Sequence, residues 1–102
     1  MQLTGAQRRY LRGAAHSLKP VVQIGKMGLV QGTLAEIETA LKAHELIKVR
    51  FTDHKDRKQA LSREIEKTLE VACAGLIGSI AILYRPNPEK PRRIRLPASD
   101  SA

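Results

Sequence analysis

Two glycines and a lysine, in the stretch Gly25-Lys26-Met27-Gly28, separate a β-branched run at residues 21–24 from a second apolar segment. A loop that follows a strand and precedes a helix faces the unpaired N–H groups and the positive dipole end of that helix, which favour an anion. Glycine lacks a Cβ atom and lets another backbone approach closely, and Lys26 adds a positive charge. The stretch is therefore either a plain turn or, like the GxxG loop of KH domains, a clamp on a nucleic-acid backbone.

The GxxG pattern is weak evidence by itself, because a second copy runs from Gly75 to Gly78 in the same chain. That second copy has an apolar interior and leads into a predicted hairpin, so we interpret it as structural. The first copy lacks the Gly-Lys-Ser/Thr ending of a nucleotide-binding P-loop, which argues against nucleotide hydrolysis.

Positive charge is concentrated near the two ends of the chain. The 102 residues carry a formal net charge of +8. Residues 1–35 hold five basic residues and no acid, residues 36–84 are balanced, and residues 85–96 hold five basic residues against one acid. This asymmetry predicts a polyanionic partner. The alternative interpretation is a solubilising surface charge.

Basic and apolar residues separate on the first predicted helix. Thr4 and Gln7 form a capping-box pattern, which places the helix at about residues 5–18. One side is then apolar and suits a core, while the opposite side is basic. The apolar side holds Leu11, Ala14, Ala15 and Leu18, and the basic side holds Arg8, Arg9, Arg12 and His16.

The predicted nucleic-acid site combines this basic side with the glycine loop. Aromatic residues make up only 3% of the chain, which favours contacts to the nucleic-acid backbone over base stacking. We expect no catalytic residue and no cofactor, since no nucleophile, acid–base pair or cofactor loop is recognisable. We expect no metal site, because Cys73 and the three histidines lack ligand spacing. The predicted site residues are Arg8, Arg9, Arg12, Lys19, Gly25, Lys26, Met27 and Gly28.

Cysteine content and hydropathy indicate the compartment. The single cysteine, Cys73, excludes a disulfide within the chain and favours a reducing environment. No apolar run approaches the ~18 residues of a membrane span, and no signal-peptide pattern is recognisable. We therefore expect a cytoplasmic protein that does not enter a membrane.

Hydrophobic periodicity predicts an α/β fold with the order α-β-α-β-α-β-β: one compact domain over residues 1–97, followed by a disordered tail at 98–102. One four-stranded mixed sheet is expected, with helices packed on it and the apolar strand at 21–24 in its interior. Asp56 is expected to cap the third helix, and Gly78-Ser79 to form a type II′ hairpin turn. Residues 93–96 could add a short edge strand. Core positions are Leu34, Ile37, Leu41, Ile47, Val49, Phe51, Leu61, Ile65 and Leu69.

The chain resembles the CRM domain, in particular its stand-alone bacterial YhbY-type form, in LRGAAHSLKPVVQIGKMGL (11–29), EIETALKAHELIKVRF (36–51) and LYRP (83–86). These stretches occur in the family's order with near-family spacing. The resemblance implies a fold like the C-terminal domain of bacterial translation initiation factor three. It also implies that loop 25–28 and the basic first helix contact RNA of large-ribosomal-subunit precursors. The chain departs from the family at residues 71–75, which are rich in small residues, and at Val30, where a capping threonine is common.

The leading hypothesis is a monomeric RNA-binding protein, not an enzyme, that associates with ribosomal RNA of large-subunit precursors and assists ribosome assembly. One alternative is an RNA-modifying enzyme or a subunit of one. Another is a sequence-independent DNA-binding protein.

Overall fold

The computed structural model describes residues 2–89, 94, 96 and 97. Three helices and four strands follow one another in the predicted order, and a short 3-10 turn at Lys55–Arg57 precedes the third helix. The elements are α1 (Gly5–Ala14), β1 (Val22–Ile24), α2 (Gln31–His44), β2 (Leu46–Phe51), α3 (Lys58–Leu69), β3 (Ala72–Ile77) and β4 (Ile80–Tyr84). The predicted α/β class is confirmed.

The sheet is mixed and has the strand order β1-β2-β4-β3. β1 runs parallel to β2, with Val22 opposite Val49, and the other two pairings are antiparallel. The prediction that residues 21–24 lie in the sheet interior is wrong, because β1 is an edge strand. Its apolar character reflects the burial of Val22 and Ile24 in one core with α2, while Val21 is half exposed.

Helices cover both faces of the sheet and create two hydrophobic clusters. α2 and α3 pack on one face, where Ile37 and Ile65 meet the inward side chains of β2. That side of β2 is Ile47, Val49 and Phe51, as the alternating pattern predicted. α1 packs on the other face. Its cluster consists of Leu3, Leu11, Ala15, Leu46, Ala72, Ala74, Ile82 and Tyr84, with Ile94 and Leu96 packed against it.

The start of α1 is as predicted, but its end is not. Thr4 and Gln7 form both hydrogen bonds of the capping box. The helix ends at Ala14 instead of residue 18, so Ala14 and Leu18 are exposed and only part of the predicted apolar side is buried. After the helix ends, the carbonyls of His16 and Leu18 accept hydrogen bonds from Lys48 Nζ. These bonds replace the helical hydrogen bonds that the two carbonyls would otherwise lack.

The other two helices begin without a side-chain cap. Val30 is the N-cap of α2 and makes no side-chain hydrogen bond, in agreement with its departure from the family pattern. The prediction that Asp56 caps α3 is wrong. Asp56 lies inside the 3-10 turn, which shifts the N-cap to Arg57, and that residue makes no side-chain capping bond.

β3 contains residues 72–75, where the chain is rich in small residues and departs from the family pattern. These residues are strand, and Cys73 pairs with Leu83 while Gly75 pairs with Ile82, so β3 has one extra residue there and forms a β-bulge. Side chains cover the backbone there: Glu66 Oε2 accepts a hydrogen bond from Cys73 N at 2.9 Å, and two arginines of α1 donate to the neighbouring carbonyls. Gly78 opens the hairpin turn with φ +59°, the sign that a type II′ turn requires at its first position.

The predictions for the C-terminal segment are only partly covered by the described residues. Ile94 and Leu96 belong to no strand, so they do not support an edge strand at 93–96. Arg93, Arg95 and residues 98–102 lie outside the described residues.

A bidentate ion pair joins the end of β4 to both helices of one face. Arg85 donates from Nη1 to Glu38 Oε1 at 2.9 Å and from Nη2 to Glu38 Oε2 at 2.6 Å. Arg85 Nη1 also donates to the carbonyl of Leu69, in the last turn of α3. The hydrogen bonds from Arg85 lower the pKa of Glu38, and those same bonds raise the pKa of Arg85.

Glu38→Gln is expected to lower the free energy of unfolding at neutral pH by about 1 kcal/mol, because it removes a charge-assisted pair that is only partly exposed. The folded-state pKa of Glu38 lies below its ordinary value of 4.5, so the stabilisation is complete above that value and is lost as the pH falls through the folded pKa. Denaturant unfolding at a series of pH values measures this. Glu36→Gln, on the exposed side of the same helix, is the matched control. A deficit of equal size at every pH would contradict the role of the ion pair.

Candidate nucleic-acid interface

The stretch Gly25-Lys26-Met27-Gly28 forms a tight turn between β1 and α2. Gly28 N donates to Gly25 O at 3.0 Å, and Gly28 has φ +70°, a left-handed conformation that favours glycine. Lys26 and Met27 occupy the two central positions, and Met27 is 79% exposed. The glycines therefore build the turn, and the turn presents a lysine and a methionine to solvent.

The loop between β2 and α3, residues 52–57, supports this turn. The carbonyl of Ile24, just before the turn, accepts hydrogen bonds from Thr52 N at 2.9 Å, Thr52 Oγ1 at 3.2 Å and Asp53 N at 3.3 Å. The ring of His54 places Nε2 2.8 Å from the carbonyl oxygen of Lys26. Local sequence patterns did not place this loop in the site. One general rule could have indicated the loop. The C-terminal ends of neighbouring parallel strands lie at the same end of a sheet, and ligands of α/β proteins bind there.

A cleft of about 250 Å³ separates the turn from the start of α3. Lys26, His54 and Arg57 line it together with one acid, Glu64. Lys26, Lys55 and Arg57 are exposed, and none of them forms a salt bridge within the part of the chain that the structure describes. The cleft therefore has a positive rim.

The N-terminus of α2 adds to this positive potential. Its first turn contains no acidic residue, and its N-cap Val30 offers no side-chain acceptor. Unpaired N–H groups and the positive end of the helix dipole then remain next to the turn, an arrangement that favours an anion.

The basic residues of α1 lie elsewhere and partly face the protein. Arg8 Nη1 donates to the carbonyl of Cys73 at 2.9 Å, and Arg12 Nη1 donates to that of Ala74 at 3.1 Å. The stem of Arg12 also passes over Gly75, where a Cβ atom would lie 2.9 Å from Arg12 Cδ. The expectation that this side of α1 faces away from the fold is therefore wrong for Arg8 and Arg12. A guanidinium carries five N–H donors, so each keeps donors for another ligand.

The predicted site residues fall into two groups that the fold does not bring into contact. The turn follows β1, whereas the α1 arginines lie on β3, and these strands form opposite edges of the sheet. Three strand spacings correspond to about 14 Å. Arg9 and Lys19 are exposed. Arg50 is exposed as well. It lies on β2, which is next to β1 in the sheet and between the two groups.

Other reactive groups form no second site in the described residues. No cluster of three or more His, Cys, Asp and Glu side chains there could hold a metal ion. Burial raises the pKa of the Cys73 thiol, the opposite of what an activated nucleophile needs. No described helix is long and apolar enough to cross a membrane.

Comparison with known proteins identifies relatives that match along nearly all of the chain. A model of the CRS1 / YhbY (CRM) domain matches residues 3–85. An RNA-binding protein of Haemophilus influenzae is 44% identical over 96 residues, which are 93% of this chain and 95% of the relative. Probable RNA-binding protein YqeI of Bacillus subtilis is 35% identical over 93% of this chain and 99% of its own length.

A solved structure has the same fold. It is the solution structure of a Staphylococcus aureus protein described as a candidate RNA-binding protein. The two structures superpose with a TM-score of 0.81 at 35% sequence identity, and the match covers 94% of this chain and 100% of the other.

Arg12→Gln is expected to lower the free energy of unfolding by about 1 kcal/mol, since it removes a charge-assisted hydrogen bond and the packing of the stem over Gly75. Arg9→Gln is the matched control, because Arg9 is exposed on the same helix, and its effect is expected to stay within about 0.5 kcal/mol. Thermal unfolding of the two variants measures the difference. Equal stabilities would show that Arg12 contributes nothing to the fold.

Proposed function

The chain belongs to the CRS1 / YhbY (CRM) domain family, and on this basis we propose that it binds RNA through the turn at residues 25–28. The observation that carries the proposal is the exposed pair Lys26-Met27, which lies between the two glycines just before a helix whose first turn contains no acid. The names of the relatives in Haemophilus influenzae and Bacillus subtilis support RNA as the ligand.

The turn recognises the RNA backbone in this proposal. A phosphate lies against the N–H groups at the start of α2, and Lys26 neutralises its charge. Met27 contributes a flexible apolar contact to a ribose or base. Stacking plays a minor part, because Phe51 and Tyr84 are buried and Tyr10 is the one aromatic residue with a largely exposed ring.

The basic residues of α1, together with Lys19 in the segment after it, form a second contact in this proposal. Arg9 and Lys19 are exposed, and Arg8 and Arg12 keep unused guanidinium donors. Because the two groups lie at opposite edges of the sheet, the RNA must be broad enough to reach both. A folded RNA meets this condition better than a short single strand, and double-stranded RNA is read mainly through its shape and backbone.

The RNA that we propose is ribosomal RNA of large-subunit precursors, and the role is assistance in ribosome assembly. The support is the resemblance of the chain to the stand-alone YhbY-type form. With it we propose a monomeric cytoplasmic protein that is not an enzyme and whose domain extends over residues 1–97. Turnover or modification of a bound RNA, or equal binding of duplex DNA, would overturn this assignment.

Binding to a structured fragment of large-subunit ribosomal RNA is expected to weaken with salt. Neutralisation of four to six phosphates predicts a slope of log K against log [salt] of about −3 to −5, between the single-strand and duplex scalings. Fluorescence anisotropy at a series of salt concentrations, with duplex DNA as the competitor, measures the slope. A flat salt response would remove the electrostatic basis of the site.

Replacement of both Lys26 and Met27 by Asp is expected to abolish most RNA binding and to leave folding intact. Both glycines remain, so the turn survives, and acids near the N-terminus of α2 are favourable by about 0.3–1 kcal/mol each. The same acids repel a phosphate at that position. RNA affinity and thermal unfolding are measured on the same samples.

The control for this double variant is the replacement of both Lys67 and Thr68 by Asp. These residues are exposed on α3, and the change in net charge is the same. The control is expected to keep most of the RNA affinity. If the turn variant binds RNA as well as the parent protein, residues 25–28 are only a turn.

A further inference from the structure

We propose that the loop between β2 and α3, residues 52–57, is the second wall of the same RNA site. In this arrangement His54 is a positioning residue that holds the turn, and Lys55 and Arg57 contact the RNA backbone. The inference rests on the proposed function of the turn and adds the residues that complete the site.

His54 is bonded to the turn at its most exposed point. Its Nε2 atom lies 2.8 Å from the carbonyl oxygen of Lys26. A carbonyl oxygen only accepts hydrogen bonds, so Nε2 carries the hydrogen and donates it. The bond fixes the peptide between Lys26 and Met27, which are the two residues at the tip of the turn. The direction in which Lys26 and Met27 point therefore depends on His54.

The backbone of the loop is shaped to present this side chain. His54 has φ +54°, in the left-handed region that few residues other than glycine adopt. Asp53 stabilises the conformation, because its Oδ1 atom accepts a hydrogen bond from His54 N at 2.7 Å. A Cβ atom on Gly28 would lie 3.9 Å from His54 Nε2, so the ring lies directly against the turn. Such a strained residue at a contact between two loops is typical of a functional site.

One cation of the loop, Arg57, lines the same cleft as Lys26. Arg57 lines the cleft opposite the turn, and Lys55 is exposed in the same 3-10 turn. Asp53, Asp56 and Glu64 are the acids nearby, and none of them forms a salt bridge with Lys26, Lys55 or Arg57 in the described part of the chain. Two loops with unpaired cations on the two sides of one cleft suit a polyanion whose phosphates lie between them.

Arg57→Gln tests the charge of the second wall. Lys67→Gln is the matched control, because it removes one positive charge from an exposed position at the far end of α3. Loss of one phosphate contact is expected to make the slope of log K against log [salt] shallower by about 0.7 for Arg57→Gln. Lys67→Gln is expected to leave the slope unchanged. Equal slopes for the two variants would overturn the role of Arg57.

The positioning role is tested with two substitutions of His54. Asn tolerates the left-handed conformation but is too short to reach Lys26 O, whereas the terminal amide of Gln stands near the place of Nε2. His54→Asn is expected to weaken binding of the ribosomal RNA fragment about fivefold, the equivalent of one hydrogen bond, with an unchanged salt slope. His54→Gln is expected to restore most of that loss. The amide resonances of residues 26–28 in NMR spectra are expected to shift in the Asn variant and to return towards the parent positions in the Gln variant.

Two patterns of results separate this inference from the proposed function. If the double Asp variant of the turn loses RNA binding while His54→Asn and Arg57→Gln keep it, the turn alone forms the site and the second wall is wrong. If all of these variants bind RNA like the parent protein, the proposed function of the turn is wrong as well. Equal affinities of His54→Asn and His54→Gln would overturn the positioning role.

Discussion

The parallel pairing of β1 with β2 is the constraint on which the rest of the structure depends. Because Ile24 lies opposite Phe51, the C-terminal ends of both strands lie at the same end of the sheet. α2 must therefore cross over one face of the sheet to connect them. The turn after β1 and the loop after β2 are therefore neighbours, although more than twenty residues separate them in sequence. The contacts of Ile24 O with Thr52 and Asp53 extend the strand pairing beyond the last ladder residues. Main-chain hydrogen bonds therefore hold the base of the turn, whereas its tip depends on the side chain of His54.

Some basic residues stabilise the fold and others are exposed to a ligand, and the net charge of the chain does not distinguish the two kinds. On α1, Arg8 and Arg12 donate to β3 carbonyls and help to close the fold, whereas Arg9 on the same helix and Lys19 after it remain exposed. Arg85 belongs to the first class, since its guanidinium is engaged by Glu38 and by the carbonyl of Leu69. Part of the charge excess near the chain ends is thus structural. The cations around the turn differ, because the side chains of Lys26 and Arg57 form neither a hydrogen bond nor a salt bridge with another described residue.

Local sequence patterns predicted most helices and strands well, but they did not predict which of these elements lie side by side. The capping box at Thr4, the alternation along residues 46–51 and the glycine of the hairpin depend on residues close in sequence, and all three predictions are confirmed. The edge position of β1 and the contact between His54 and Lys26 depend on strand order, which no local pattern contains. Helical periodicity placed Arg12 opposite the apolar side of α1, but it did not show that β3 lies against this arginine. The two glycines of the turn were recognised because they lie three residues apart in the sequence. The second loop was missed because the turn that it contacts is far from it in the sequence.

The bulge in β3 and its side-chain bonds affect how molecules of this protein behave towards one another. An exposed edge strand offers unpaired N–H and C=O groups that can template the addition of a strand from another chain, which is a route to aggregation. Here Glu66 occupies the N–H of Cys73, two arginines occupy the adjacent carbonyls, and the bulge interrupts the regular spacing. The opposite edge is protected in another way, since β1 is only three residues long. The same arginines that close the fold therefore also make this edge of the sheet a poor template for the addition of a strand from another molecule.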